Sequence, residues 1–191
     1  IDTICTNAVE VSNIQTRETE EFYIEEITSN MRFALGTSNI LDANVYVNEM
    51  GRFSQDVMKK MLEDDPQSVM AEYDVSGNIS AFYVLWEETE RFETAENPRV
   101  YMLDRLDNEL IFGDGVHEYI PRVLDGAALK VDIRCCDGAK GNVPANDITT
   151  PSGYLMYVGD IYNPTKAYGG SSIESTDNAL KRGSSILSSR G

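Results

Sequence analysis

The amino-acid sequence predicts an α+β fold: a β-rich central domain of antiparallel hairpins with flanking helices, N-terminal ones and a C-terminal one. Three observations lead there. Short runs dense in β-branched and aromatic residues begin near residue 69, turn signals separate them at hairpin spacing, and apolar residues recur at helical spacing mainly outside that stretch. The implied organisation is an N-terminal mostly helical or mixed segment over 1–68, a β-rich core domain over 69–162, and a linker with the start of a helical segment over 163–191.

Taken in chain order, Tyr23, Ile27, Met31 and Ala34 follow helical spacing through a stretch that also holds β-formers, and a helix is expected there. Residues 53–62 read more clearly. Ser54 can cap a helix whose apolar positions are Phe53, Val57, Met58, Met61 and Leu62, and Asp65 before Pro66 is pushed out of the α region, ending it. Residues 69–75 and 79–87 are strand-like, with Ser76-Gly77-Asn78 between them as a hairpin turn. Asp107-Asn108 marks a second hairpin between 100–104 and 109–112, and Gly113-Asp114-Gly115 then breaks the pairing. Residues 128–135 alternate Leu129, Val131 and Ile133 against Lys130, Asp132 and Arg134, the period of a strand with one wet face. A further strand is expected over 154–161, turns at Asn163-Pro164 and Gly169-Gly170, and a helix over 174–189 weakened by Gly183.

Composition bounds the function. The 191 residues include 16 Lys and Arg against 32 Asp and Glu, for a net charge of −16. That balance opposes nucleic acid, which needs clustered cations to displace counterions, and an anionic membrane surface equally. Hydrophobic residues make up 41 %, which is globular, and no apolar run is long enough to span a bilayer as a helix. Cys5, Cys135 and Cys136 form no disulfide framework or zinc motif, so a reducing compartment is expected. The chain opens at Ile1 without a leader and ends as though inside a helix, as a piece of a longer protein would.

Candidate chemistry is sparse. His117, the single histidine, lacks a GxSxG nucleophile elbow to serve, and exposure in a turn explains it more cheaply. Cys135 or Cys136 as a nucleophile needs a cationic neighbour, which Arg134 or His117 could supply; a thiol at a strand end is the simpler reading. Asp104, Asp107, Asn108 and Asp114 invite calcium but miss the EF-hand spacing, and turn chemistry accounts for each. Glu87, Glu88, Glu90 and Glu93 around Trp86 and Phe92 could hydrolyse glycosides if two were paired across a cleft; a solvated face is the plainer alternative. The glycine-rich stretches Gly138–Gly141 and Gly169-Gly170 lack phosphate-loop spacing. No catalytic residue, cofactor or metal site is expected.

One ordered series of motifs is distinctive. Trp86 and Phe92 are followed by Val100-Tyr101, then Phe112-Gly113-Asp114-Gly115, Pro121, Gly126, Gly138, Gly141-Asn142, Asn163-Pro164, Gly169-Gly170 and Glu174-Ser175. This order, over roughly residues 84–190, resembles the J-like baseplate wedge proteins of contractile phage tails and related injection systems. Glu118, Leu124-Asp125 and Cys135-Cys136-Asp137 depart from the small residues usual there. The resemblance implies a structural protein, not an enzyme: a wedge subunit joining its neighbours around a central hub and rearranging when the sheath contracts. It implies other wedge and hub proteins as partners, a homo-oligomer or ring within the baseplate, no small-molecule substrate, and a place in the virion tail after assembly in the bacterial cytoplasm. Gly113, Asp114, Gly115, Gly141 and Asn142 are expected to set turns, Gly113 and Gly115 through positive φ and Gly141-Asn142 likewise at the next corner, and Pro164, Gly169 and Gly170 to form a pivot. A carbohydrate-active hydrolase and an adhesin-type binding module are the alternatives.

Overall fold

In the computed structural model, residues 8–154 and 156–171 are described. They form nine strands and one α-helix: β1 (Ile14–Thr16), β2 (Glu20–Phe22), β3 (Arg32–Ala34), β4 (Ile40–Asn48), α1 (Gln55–Asp64), β5 (Val69–Tyr73), β6 (Ile79–Glu88), β7 (Val100–Asp104), β8 (Glu109–Ile111) and β9 (Leu129–Cys136). Two compact units divide them, 15–135 and a second comprising 8–14 with the described residues from 136 onward.

The first unit is one β-rich sheet with a helix on it. The strand order is β1-β9-β4-β6-β7-β8-β3, with β2 also on β9 and β5 also on β6. Most pairs are antiparallel, but β7 joins β6 in parallel through Glu87↔Val100 and Glu88↔Tyr101, so the sheet is mixed and not built of hairpins alone. The stretch from Arg91 to Pro98, with a 3-10 turn at Phe92–Thr94, carries the chain back to start β7 in the same direction. The expected hairpins are present: β5–β6 turns at Gly77 with φ +82°, and β7–β8 at Asn108 with φ +56°, a value Asn tolerates better than most residues.

The region expected to be helical before residue 50 is instead four strands. The helical stripe fails on burial: Tyr23 is 64 % exposed and Ile27 47 %, whereas Ile24, Met31 and Leu35 face the core. β2 covers the edge of β9 through Glu20↔Val131 and Phe22↔Leu129, satisfying backbone groups that a helix would leave bare. β4, with Val45 and Val47 inward, lies between β9 and β6, so the sheet runs straight across the expected boundary at residue 68. The helix at 53–62 does form, as α1, capped by Ser54. The helix expected over 174–189 lies outside the described residues.

Two apolar clusters hold the inner face. The larger unites β4, β6, β7, β8 and β9 with the loop residues Ile24, Met31 and Leu35. A run of edge-to-face rings, Phe22–Phe33, Phe33–Phe112 and Phe112–Trp86 at 5.5 to 5.7 Å, ties β2 and β3 to the middle of the sheet. Each such pair adds about 0.5–1.5 kcal/mol beyond area burial. The smaller cluster seats Met58 of α1 on Val69, Ile79, Phe82 and Val84. A bulge between Ile40 and Asp42 leaves the Leu41 carbonyl to Arg105, which also forks Glu88 at 2.6 and 3.0 Å.

The second unit has little ladder structure. The strand expected over 154–161 is absent among the described residues there: Gly153 precedes it, Gly159 lies within it, and Tyr157 sits at φ +65°, outside any strand conformation. Asn163 organises this loop instead. Its amide donates to the carbonyls of Pro144 and Thr165, and its oxygen accepts from the N–H groups of Asp147 and Ile148.

Candidate functional site: a buried carboxylate in an arginine and aromatic cluster

The most unusual chemistry in the first unit lies where β4 ends. Glu49 is 1 % exposed, a position a carboxylate occupies only when paired. It is there because the β4 ladder continues past Asn48: the Glu49 N–H donates to the Phe82 carbonyl, and Gly51, at φ +85°, then turns the chain toward α1. Asn48 is buried beside it and braces the corner, donating to the Ala127 carbonyl and accepting from the Met50 N–H.

Both Glu49 oxygens are engaged. Oε1 accepts from Trp86 Nε1 at 3.1 Å and Arg99 Nε at 2.7 Å; Oε2 accepts from Arg99 Nη2 at 2.9 Å and lies 3.9 Å from Arg52 Nε. The Arg99 fork is the two-point geometry that makes guanidinium–carboxylate pairs strong. Its hydrogen bonds to Glu49 raise the Arg99 pKa against the opposing effect of burial. Tyr119 supports both cations, with the Arg52 guanidinium 4.2 Å and that of Arg99 5.5 Å from its ring centre, and Phe53 lies 5.7 Å from Arg99. Arg122 joins from the 112–128 loop, its Nη2 donating to the Met50 carbonyl at 2.7 Å, while its buried Nε has no partner among the described residues. A carboxylate so fully bonded is a poor general base; what the arrangement offers is fixed geometry and guanidinium N–H groups near the surface.

This cluster was not legible in advance. Glu49, Arg52, Arg99, Tyr119 and Arg122 lie on three separate segments, and only Trp86 among its members belongs to a motif read for candidate catalysis. The one available signal was Glu49 following the apolar run of Val45, Tyr46 and Val47, a charge at the end of a buried strand.

The residues singled out from sequence fall elsewhere, mostly in turns. Gly115 has φ +82° as expected, but Gly113 does not need positive φ: a Cβ there would lie 2.6 Å from Glu118 Oε2, so its role is to admit the buried Glu118 side chain. Asp114 accepts from the N–H groups of Val116 and His117, and these bonds hold its carboxyl below the usual range. His117 is exposed and 3.8 Å from Asp114. Asp104 likewise accepts from the N–H groups of Leu106 and Asp107, so Asp104 and Asp114 serve their own turns. Among the described residues no group of three or more His, Cys, Asp or Glu is placed to hold a metal. Glu88 is taken by Arg105, and Glu90 and Glu93 rim a surface hollow with Phe92 and Met102. Cys135 is buried, and its sulfur accepts from Arg17 Nε at 3.2 Å; neither Arg134 nor His117 plays that part, since Arg134 pairs with Asp42.

In the second unit, Gly141 leaves room for Asn13, whose Nδ2 would lie 2.8 Å from a Cβ there; neither Gly141 nor Asn142 supplies the positive φ expected at that corner, which Gly138 does at +56°. Asn142 bridges to Gly170, donating to its carbonyl at 2.8 Å and accepting from its N–H at 2.9 Å. Gly169 has φ +97°, and a Cβ on Gly170 would run into the Gly138 carbonyl. The segment expected to pivot is therefore tied along its length, with the Thr165 carbonyl on Asn163, the Ala167 N–H on the Val143 carbonyl and Gly170 on Asn142, and a swing about Pro164 to Gly170 has to release these bonds. Comparisons with protein-family models, curated proteins and solved structures returned no match to the chain.

Proposed function

We propose that this chain is a structural subunit of a contractile-tail baseplate wedge, joining neighbouring wedges around the hub and rearranging on contraction. The observation that carries the reading is the ordered series of motifs from Trp86 to Glu174-Ser175. The places where they fall agree with a structural role. Trp86, Tyr101 and Phe112 are core residues, Gly113 and Gly141 are close-approach points, and Asn142 and Gly170 bond to each other. None of these positions presents a nucleophile or an acid–base pair. The net charge of −16 favours docking to basic partner surfaces.

An adhesin-type binding module is the second reading, favoured by the exposed tyrosines Tyr154, Tyr157, Tyr162 and Tyr168. A tagged pull-down of the full-length protein from its producing cells, with mass spectrometry of everything retained, separates the two. Tail-tube, sheath and other wedge components in stoichiometric amounts are the expected result. Recovery of the chain alone, or with surface glycoconjugates, overturns the wedge reading.

A further inference from the structure

Two guanidiniums, Arg99 and Arg52, meet Glu49 where one suffices to neutralise it, and a third, Arg122, bonds the carbonyl of the next residue, Met50. Arg99 alone forks the carboxylate. The Arg52 guanidinium makes only a 3.9 Å ionic approach to it and no side-chain hydrogen bond among the described residues, resting instead on the Tyr119 ring. Arg122 spends one N–H on a backbone carbonyl and leaves its buried Nε unbonded. Glu49 is the one carboxylate in ion-pair contact with any of the three among the described residues. Two cations thus stand against one anion, in a chain whose total is −16. Excess positive charge is costly in a purely structural lock, and one further anion relieves it.

We propose that Arg52 and Arg99 form a receptor for the carboxylate of an acidic side chain on a partner protein, with Arg52 as the principal donor. The side chains of Arg52 and Arg99 are 26 % and 28 % exposed, so the cluster is open to a ligand from outside. Tyr119 holds the Arg52 guanidinium in place, lowering the cost of ordering it when the ligand arrives. A planar carboxylate matches the fork that Glu49 already occupies on Arg99. The surrounding negative field acts against the ligand in proportion to its charge, so a single carboxylate is repelled less than a phosphate dianion or a nucleic-acid backbone. The inference stands apart from the wedge reading, because it needs only a protein partner with an exposed Asp or Glu.

Trp86 is the single tryptophan and donates to Glu49, so its fluorescence reports on the cluster directly. The full chain is titrated with a blocked hexapeptide carrying two glutamates, with its glutamine counterpart, and with inorganic phosphate. The expected result is a saturable change with the glutamate peptide alone, weakening as salt rises. Arg52→Gln should weaken it at least ten-fold, and Arg32→Gln, at an exposed pair with Glu109, should leave it unchanged. No saturable response, an equal response in Arg52→Gln, or a response to phosphate without the peptide overturns the proposal. If Arg52→Gln lowers the melting temperature, Arg52→Lys keeps the charge and loses the fork; undiminished peptide binding in that variant also overturns it.

Discussion

The two units of this chain are held by different means. Residues 15–135 are held by strand ladders and a continuous apolar cluster, in which each side chain is one of many and neighbours share the load. The described residues from 136 onward rely on a few specific bonds: Asn163 to four backbone groups, and Asn142 to both sides of Gly170. Large apolar side chains there, Tyr154, Met156, Tyr157 and Tyr168, face outward. A ladder unit of this kind opens cooperatively. A loop unit pinned by single amides opens bond by bond.

Substitutions can break this contrast. The largest expected effect is at Phe112, fully buried between the Phe33 and Trp86 rings. Phe112→Ala should cost the first unit about 3–5 kcal/mol, read as a lowered urea midpoint by Trp86 fluorescence. Glu49→Ala probes the one place where the first unit uses a polar lock. Removing the carboxylate strands Trp86 Nε1 and the Arg99 guanidinium, and a loss of about 3 kcal/mol is expected from the same titration. A neutral outcome would mean that the apolar cluster carries this corner unaided.

Asn163→Ala should act only on the loop unit. Four exposed hydrogen bonds disappear, for a local loss of about 1–3 kcal/mol. Amide exchange at Asp147 and Ile148 should accelerate while β6 amides keep their protection; faster β6 exchange as well would merge the two units into one. The smallest effect is at the β5–β6 turn. Hydrogen bonds from the Asn78, Ser76 and Gly77 backbone hold the Asp74 carboxyl below its usual 3.8, so its stabilisation is present above that value and lost as pH falls through the lower folded one. An NMR titration should show the Ser76 and Asn78 amides shifting together below about pH 3.8. A midpoint at or above 3.8 would remove the turn bonds from the account.

How much was legible follows the same division. β5 to β9 and α1 could be read because alternation, glycine turns and a capping serine are local signals. β2 could not, because Glu20 and Phe22 become a strand only through the open edge of β9 more than a hundred residues later. Residues 154–161 misled in the opposite sense: they are rich in β-formers, yet Tyr157 takes φ +65°, which no periodicity reveals. The Glu49 cluster was hidden for a further reason. Its charges are ordinary surface residues in sequence, and only the meeting of the β4 end, the start of β7 and the 112–128 loop buries one of them.

Native-state hydrogen exchange of the full chain at increasing, sub-denaturing urea tests the division between the units most directly. The predicted result is that amides of β4, β6 and β9 open only through global unfolding, with its full urea dependence, whereas Asp147, Ile148, Ala167 and Gly170 open at lower free energy and almost independently of urea. A single opening free energy and a single urea slope for both sets would contradict it.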